Sequence, residues 1–321
     1  MAIFPQLLIF LSGLALLIIG AHWFIQTSVK FSQLLRLSSA FIGLIFVAFG
    51  TSAPEAGVGI LAAFEKQSAI ALGNIVGSNI ANIGLILGLC ALFTPLTVER
   101  SILRRETPFM IVVTVLLYIF SLDLVIQRWE GIVFILLFIA FCYFSFKSAQ
   151  NPVFLEDDIS HFRFYPIIER TRSRWGIMIF FLISLSAIIA GSYVMVSSGV
   201  TLAKILGISP WIIAMTMFAV GTSLPELAAS LTAAFKKVPA ISIGNIVGSN
   251  IFNIIFVLGI VACIEPLSIG SSALKFELPV LILFSILLFA VMKTKNKISR
   301  FEGMVLLLGY VVFLGIVFTF S

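Results

Sequence analysis

Charge is what this sequence has least of. Only 11% of its 321 residues are Asp, Glu, Lys or Arg, against roughly 25% in soluble domains, while 60% are hydrophobic. That balance excludes a water-exposed globular fold. Histidine and cysteine are scarce too, with two and three copies. Cys90, Cys142 and Cys263 lie inside apolar runs without metal-ligand or disulfide spacing, which leaves them as packing residues. Neither an HExxH motif nor a GxSG motif with a histidine partner occurs, so the chain is read as a non-enzyme with no cofactor.

What is present is a series of long apolar runs. A helix needs about 20 apolar residues to cross the roughly 30 Å hydrocarbon core of a bilayer. Ten stretches approach that length: Phe4–Thr27, Ala40–Phe64, Ile70–Phe93, Pro108–Leu122, Gly131–Phe146, Trp175–Ala203, Trp211–Phe235, Ala240–Ile264, Leu278–Met292 and Met304–Phe320. No Lys or Arg precedes the first run and no small-residue cleavage site follows it, so it reads as helix 1, not a signal peptide. His22, near the end of that run, reads as an interfacial residue.

The few basic residues orient the chain. With ten spans, one side holds Lys66, Arg128, Lys204 and Lys275, and the other holds the remaining 16 of the 20 Lys and Arg. Cytoplasmic loops accumulate such residues, which predicts a multi-pass protein of the inner cell membrane with both termini extracytoplasmic. The net charge of +6 follows from this bias. It implies an attraction to anionic lipid and no nucleic-acid partner. The connection Lys147–Arg174 carries Glu156, Asp157, Asp158 and His161, read as a solvated charge cluster, and is too short for a folded regulatory domain. No obligatory protein partner is implied.

The sequence repeats itself at an offset of 171 residues. Gly50-Thr51-Ser52-Ala53-Pro54-Glu55 matches Gly221-Thr222-Ser223-Leu224-Pro225-Glu226, and the eight residues Gly73–Ile80 recur unchanged as Gly244–Ile251. From Gly50 to Leu96, 26 of 47 aligned positions are identical, concentrated at polar and helix-breaking residues. Five spans per half is an odd number, so the second half enters the membrane from the opposite side. The expected fold is all-α and polytopic: two inverted five-helix repeats, 1–147 and 175–321, joined by a cytoplasmic loop, 148–174, with helices 2, 3, 7 and 8 broken at midplane.

Glu55 and Glu226 fall near the middle of spans 2 and 7, where an ionised carboxylate is costly unless compensated. Pro54 and Pro225 remove the donors that would bond the Gly50 and Gly221 carbonyls, so each helix opens just before its glutamate. Carbonyls around Ala48–Gly50 and Ala219–Gly221 are then expected to act as cation ligands. Thr51, Ser52 and Glu55 share a helix face, and Asn74, Ser78 and Asn82 follow at intervals of four, as do Asn245, Ser249 and Asn253. All are hard oxygen donors, suited to Na⁺ or Ca²⁺ and not to zinc or copper. Gly73–Gly77 and Gly244–Gly248 are GxxxG motifs, read as close packing of helices 3 and 8. Gly20 and Gly191 interrupt spans 1 and 6 at matching positions and mark them as a candidate moving pair.

The GTSxPE and GNIVGSNIxN segments, one of each per half, resemble the two alpha repeats of the sodium/calcium exchanger family within the cation/calcium exchanger superfamily. The resemblance covers nearly the whole chain. It implies an antiporter exchanging Na⁺ for Ca²⁺ by alternating access, with Ca²⁺ held centrally by Glu55 and Glu226. Thr51, Ser52, Ser78, Thr222, Ser223, Ser249 and the carbonyls of Ala48 and Ala219 would complete the Na⁺ and Ca²⁺ positions. Asn82 and Asn253 would sit beside the glutamates. Many relatives carry Asp where this chain has Asn253, which keeps a K⁺-dependent exchanger as one alternative. The other is a Ca²⁺/H⁺ exchanger of the same fold, although that relative typically carries a glutamate after its GN motif and this chain has Gly77 and Asn79 there and no acid. The short connection lacks the Ca²⁺-sensing domains of animal members, as in a compact prokaryotic exchanger.

Overall fold

A computed structural model describes residues 3–35, 37–149, 165–171, 173–205 and 221–320, and the statements below concern these residues. The fold is all-helical. Seven helices among them are long and apolar enough to cross a membrane, and a bent pair supplies an eighth. We number them α1 (Ile3–Leu35), the bent pair α2 (Ser39–Thr51) and α3 (Ala53–Phe64), α4 (Ser68–Phe93), α5 (Thr107–Phe120), α6 (Arg128–Ala149), α7 (Pro166–Arg170), α8 (Arg174–Ile205), α9 (Leu224–Phe235), α10 (Pro239–Ile264), α11 (Ala273–Lys293) and α12 (Arg300–Phe320). The outer surface is apolar: Ile18, Leu136, Leu283 and Leu308 are each more than half exposed. A soluble protein avoids a continuous face of this kind, and lipid accepts it.

The buried interior carries the polar residues. α4 and α10 are the most enclosed helices, while α1, α6, α8, α11 and α12 show most of their length to the outside. α2 starts where the Ser38 hydroxyl accepts the Phe41 N–H at 3.1 Å. It widens into a π turn over Ile42–Val47, stops at Ser52, and continues as α3 at an angle of 45°. Pro54 sits in the first turn of α3, where its missing N–H does no harm. Ser223 precedes α9 with nearly the same backbone angles as Ser52, φ −86° and ψ 5° against −81° and 6°. The first half of predicted span 7, with Ala219, lies outside the described residues, as do Glu156, Asp157, Asp158 and His161.

Helices 3 and 8 were expected to break at midplane, and they do not. α4 and α10 run through as single helices, each absorbing one wider turn, Asn82–Leu87 and Asn253–Val257. Neither has a proline near its asparagine row, so nothing removes a backbone donor, and a π turn re-aims side chains without opening the chain. α1 and α8 are also continuous. Gly20 and Gly191 do not interrupt them but let them cross: a Cβ at Gly191 would lie 2.5 Å from the Leu17 nitrogen, and one at Gly20 2.9 Å from the Ile188 nitrogen. Around this crossing Phe24, Ile25, Ile177 and Ile188 form a hydrophobic cluster separate from the larger one around α4 and α10.

The GxxxG of α10 packs against α2, and not against α4 as expected. A Cβ at Gly248 would fall 2.1 Å from the Leu44 carbonyl oxygen, and one at Gly244 2.7 Å from that of Ala40. Backbone-to-backbone approach of this kind requires glycine. The contact draws the start of one half's bent helix against the other half's asparagine row. No described atom stands within 4 Å of the equivalent positions on Gly73 or Gly77.

Two small antiparallel sheets tie the helix ends together, and each takes one strand from each half. β1 (Leu96–Thr97) pairs with β4 (Lys297–Ile298), and β2 (Val125–Ile126) pairs with β3 (Leu267–Ser268). α11 separates β3 from β4 and is 21 residues long. That is roughly 30 Å of helix, so the sheets stand a bilayer thickness apart. The connecting segment docks on α1, where Tyr165 packs on His22 and Trp23 at ring distances of 5.1 and 5.3 Å. Its N–H donates to Gln26 Oε1 at 2.6 Å, so His22 faces this segment and not an open interface.

Candidate ion-binding site

The breaks at Ser52 and Ser223 bring two carboxylates to the centre, and Glu55 and Glu226 are both fully buried. Among the described residues neither carboxylate has a basic partner. Each is held from the opposite half. Ser52 Oγ donates to Glu226 Oε1 at 3.0 Å, and Ser223 Oγ donates to Glu55 Oε1 at 3.4 Å. Ser249 Oγ adds a second donor to Glu226 Oε1 at 3.5 Å.

The threonines cross in the same way. Thr51 Oγ1 donates to Asn245 Oδ1 at 3.1 Å, and Thr222 Oγ1 to Asn74 Oδ1 at 3.3 Å. The amide nitrogens of Asn74 and Asn245 donate to the backbone carbonyls of Glu55 and Glu226, at 3.3 and 3.5 Å. Ser78 Oγ lies 3.4 Å from Thr222 Oγ1. Because every asparagine amide has both a donor and an acceptor end, one residue can clamp a glutamate of its own half while receiving a threonine from the other.

Deeper in the site, Asn79 and Asn250 form a reciprocal pair. Asn79 Nδ2 donates to the Asn250 carbonyl at 3.2 Å, and Asn250 Nδ2 to the Asn79 carbonyl at 3.1 Å. Their free Oδ1 atoms then accept from the next asparagines, Asn253 Nδ2 to Asn79 Oδ1 and Asn82 Nδ2 to Asn250 Oδ1, both at 3.0 Å. This fixes which way the Asn82 and Asn253 amides point.

Four oxygens are left over. Glu55 Oε2, Glu226 Oε2, Asn82 Oδ1 and Asn253 Oδ1 are buried and receive no hydrogen bond from the described residues. A buried acceptor without a donor costs on the order of 1–3 kcal/mol, more when charged. They are two symmetric pairs of hard oxygens, two of them carrying formal negative charge, of the kind that Na⁺ and Ca²⁺ take as ligands.

Of the residues expected in the site, Glu55, Glu226, Thr51, Ser52, Ser78, Thr222, Ser223 and Ser249 join two hydrogen-bonded networks, one around each glutamate and each spanning both halves, and Asn82 and Asn253 join another with Asn79 and Asn250. Ala48 is adjacent, but its carbonyl is not free: it accepts the Ser52 N–H at 3.0 Å and Thr51 Oγ1 at 3.5 Å. The reason is the arithmetic of the helix. Pro54 deprives only Gly50, four residues earlier, and the donor for Ala48 is Ser52, which keeps its N–H. In the second half the corresponding deprived carbonyl, that of Gly221, is capped by Ser192 Oγ of α8 at 3.2 Å. Sequence reasoning places Asn74 and Asn245 in the oxygen rows but leaves out Asn79, Asn250 and Ser192. The unchanged eight-residue repeat, Gly73–Ile80 and Gly244–Ile251, contains Asn79 and Asn250 and is a signal for them; Ser192, which corresponds to Ala21, carries none.

Comparison with known proteins places this geometry in context. The profile of the sodium/calcium exchanger protein family matches residues 5–147 and 176–319. The sodium/calcium exchanger MaX1 of Methanosarcina acetivorans is 35% identical over 97% of this chain and 98% of its own length. The inner membrane protein YrbG of Escherichia coli is 33% identical over 96% and 95%. Among solved structures, the sodium-calcium exchanger NCX_Mj superposes with a TM-score of 0.84 at 27% identity, covering 98% of both chains.

Proposed function

Because the chain belongs to the sodium/calcium exchanger family, we propose that its paired glutamates are the seat of exchange, and that the four donor-free oxygens bind the transported ions. The protein is a multi-pass membrane antiporter that exchanges Na⁺ for Ca²⁺, and not an enzyme. In our reading Ca²⁺ sits between Glu55 and Glu226, bound through the Oε2 atoms that no hydroxyl engages. Na⁺ ions take positions that include Thr51, Ser52, Ser78, Thr222, Ser223, Ser249, Asn82 and Asn253. The Ala48 carbonyl, which keeps a second lone pair beside its helical bond, is proposed with them, and the Ala219 carbonyl by its place in the repeat.

The observation that carries this reading is the division of labour within each carboxylate. One oxygen is pinned by a serine from the opposite half, and the other is presented bare. Two bare carboxylates in a low-dielectric site repel each other, and a divalent ion or a set of Na⁺ ions relieves that repulsion. A carrier that is reluctant to reorient empty exchanges ions and does not leak them. Reorientation is assigned to α1 and α8. They cross tightly, backbone to backbone, at Gly20 and Gly191, which supports their moving as one body; the hydrophobic cluster around them also takes in Phe41, Ile42 and Val47 of α2 and Ala229 and Ala233 of α9, the surface they would slide on.

We also propose ten spans in two inverted five-helix repeats, 1–147 and 175–321, around a cytoplasmic connection at 148–174. The crossed strand pairs support this: β1 with β4 and β2 with β3 is the pairing that inverted halves require. The sheet formed by β1 and β4 lies beside Arg100, Lys295 and Arg300, on the side given the basic excess. This favours the inner membrane, with that side cytoplasmic and both termini extracytoplasmic.

The test is uptake of radiolabelled Ca²⁺ into Na⁺-loaded proteoliposomes. Uptake should require the outward Na⁺ gradient and persist without a pH gradient or external K⁺. Uptake driven by a pH gradient alone, or absent until K⁺ is added, would establish the H⁺- or K⁺-coupled alternative instead.

A further inference from the structure

A fifth buried carboxyl or amide oxygen without a donor lies away from the ion site. Glu106, in the π turn Ile102–Glu106 that leads into α5, is 2% exposed, and its Oε2 has no hydrogen-bond partner. Its Oε1 is occupied by Arg105, whose Nε donates at 2.9 Å and whose Nη2 also makes contact. The carboxylate lines a cavity of about 580 Å³ against the start of α2, and Glu99, Arg100, Arg105 and Ser145 share its wall. A second cavity of about 680 Å³ has Arg105, Ser145 and Ser148 in common with the first. It continues between α5 and α6 over Phe109, Leu137, Ala140 and Phe144, with Lys147 at its rim. Phe144 is 62% exposed, so this end opens on the lipid.

The charge pattern selects the occupant. Two carboxylates and two guanidiniums line the first cavity, so a bare metal cation meets the arginines and a simple anion meets the buried Glu106 oxygen that has no donor. A molecule that carries a cationic N–H donor, an anionic group and an apolar tail satisfies every wall at once. We infer that the joined cleft binds a phospholipid whose headgroup ends in a primary ammonium. The ammonium donates to Glu106 Oε2, the phosphate lies toward Arg105 and Lys147, and an acyl chain follows Phe109 to Phe144. A trimethylammonium headgroup has no N–H to give Glu106. A headgroup with net negative charge adds repulsion from the same carboxylate.

Native mass spectrometry of the purified chain, offered equal amounts of phosphatidylethanolamine, phosphatidylcholine and phosphatidylglycerol with identical acyl chains, tests this. The parent should retain phosphatidylethanolamine over phosphatidylcholine by roughly tenfold, the worth of one charge-assisted bond. Glu106→Gln should bring the two to parity while Na⁺-dependent Ca²⁺ flux shows the variant folded. Ala140→Trp, which fills the apolar cleft and leaves the carboxylate alone, should lower retention of all three. Equal retention of the first two lipids by the parent, or a preference that survives Glu106→Gln, overturns the assignment. So does phosphatidylglycerol outcompeting phosphatidylethanolamine, which would make this a basic site for anionic lipid.

Discussion

Asn79 and Asn250, 171 residues apart, exchange side-chain-to-backbone hydrogen bonds at 3.2 and 3.1 Å and between them orient Asn82 and Asn253. The pair touches no carboxylate, yet it decides that the oxygen and not the nitrogen of each neighbouring amide is left free. Asn79→Ala and Asn250→Ala should each raise the half-saturating Ca²⁺ concentration by roughly tenfold, the worth of the one bond that orients the neighbouring amide, while the amide-to-carbonyl bond lost with it lowers stability. The two effects should be equal, since the network is symmetric. Ca²⁺ titrations of exchange rate check this, and an unchanged affinity in both variants would assign the pair to packing alone.

Glu55→Gln and Glu226→Gln should each reduce Ca²⁺ exchange to background. The amide keeps the shape and removes a buried charge, so insertion and folding are retained, while the remaining oxygens cannot neutralise a divalent ion. Flux measured beside a size-exclusion profile separates the two effects. Near-normal flux in a well-folded variant removes that glutamate from the site.

Asn253 donates to Asn79 Oδ1, and this bond constrains what can replace it. An aspartate preserves the bond only as the protonated acid, and repulsion from Glu55 and Glu226 favours that form. Asn253→Asp should therefore retain exchange while its pH profile shifts from the parent's, and Asn82→Asp should match it. Asn253→Leu, which has neither donor nor acceptor, should weaken exchange at every pH. Na⁺-dependent flux across pH and external K⁺ distinguishes the variants, and parental flux in the leucine variant would make Asn253 a packing residue.

Gly248→Ala places a methyl group 2.1 Å from the Leu44 carbonyl oxygen, a contact the backbones relieve only by separating α10 from α2. Overpacking of this kind costs typically 1–3 kcal/mol or more. The variant should lose several degrees of thermal stability along with exchange. Gly57→Ala is the control, because no atom lies within 4 Å of its added carbon. Detergent-solubilised melting curves report both, and equal curves would show the α2–α10 contact to be loose.

Cysteines introduced near either end of the chain should react with a membrane-impermeant thiol reagent added outside intact cells. The basic asymmetry predicts this for both termini. Labelling that appears only after permeabilisation would reverse the topology.

Some of this was determined by the sequence alone. A chain with 11% charged residues in long apolar runs belongs in a bilayer whatever its fold. A carboxylate in the middle of such a run, repeated 171 residues later beside the same proline, marks a site because nothing local offsets its cost. What only the tertiary structure decided is which oxygens are free. Apart from the Ser249 bond to Glu226, the bonds that pin Glu55, Glu226, Asn82 and Asn253 cross between the halves, from residues 168 to 174 positions away, and no helical spacing encodes them. Other details have local reasons. The Ala48 carbonyl is not open because its donor, Ser52, keeps its N–H and Pro54 deprives only Gly50. α4 and α10 were expected to break, although a π turn leaves no proline or glycine signature. Gly244 and Gly248 show that a close contact exists, but a glycine has no side chain with which to name its partner, and α2 is known as that partner only once the halves have packed.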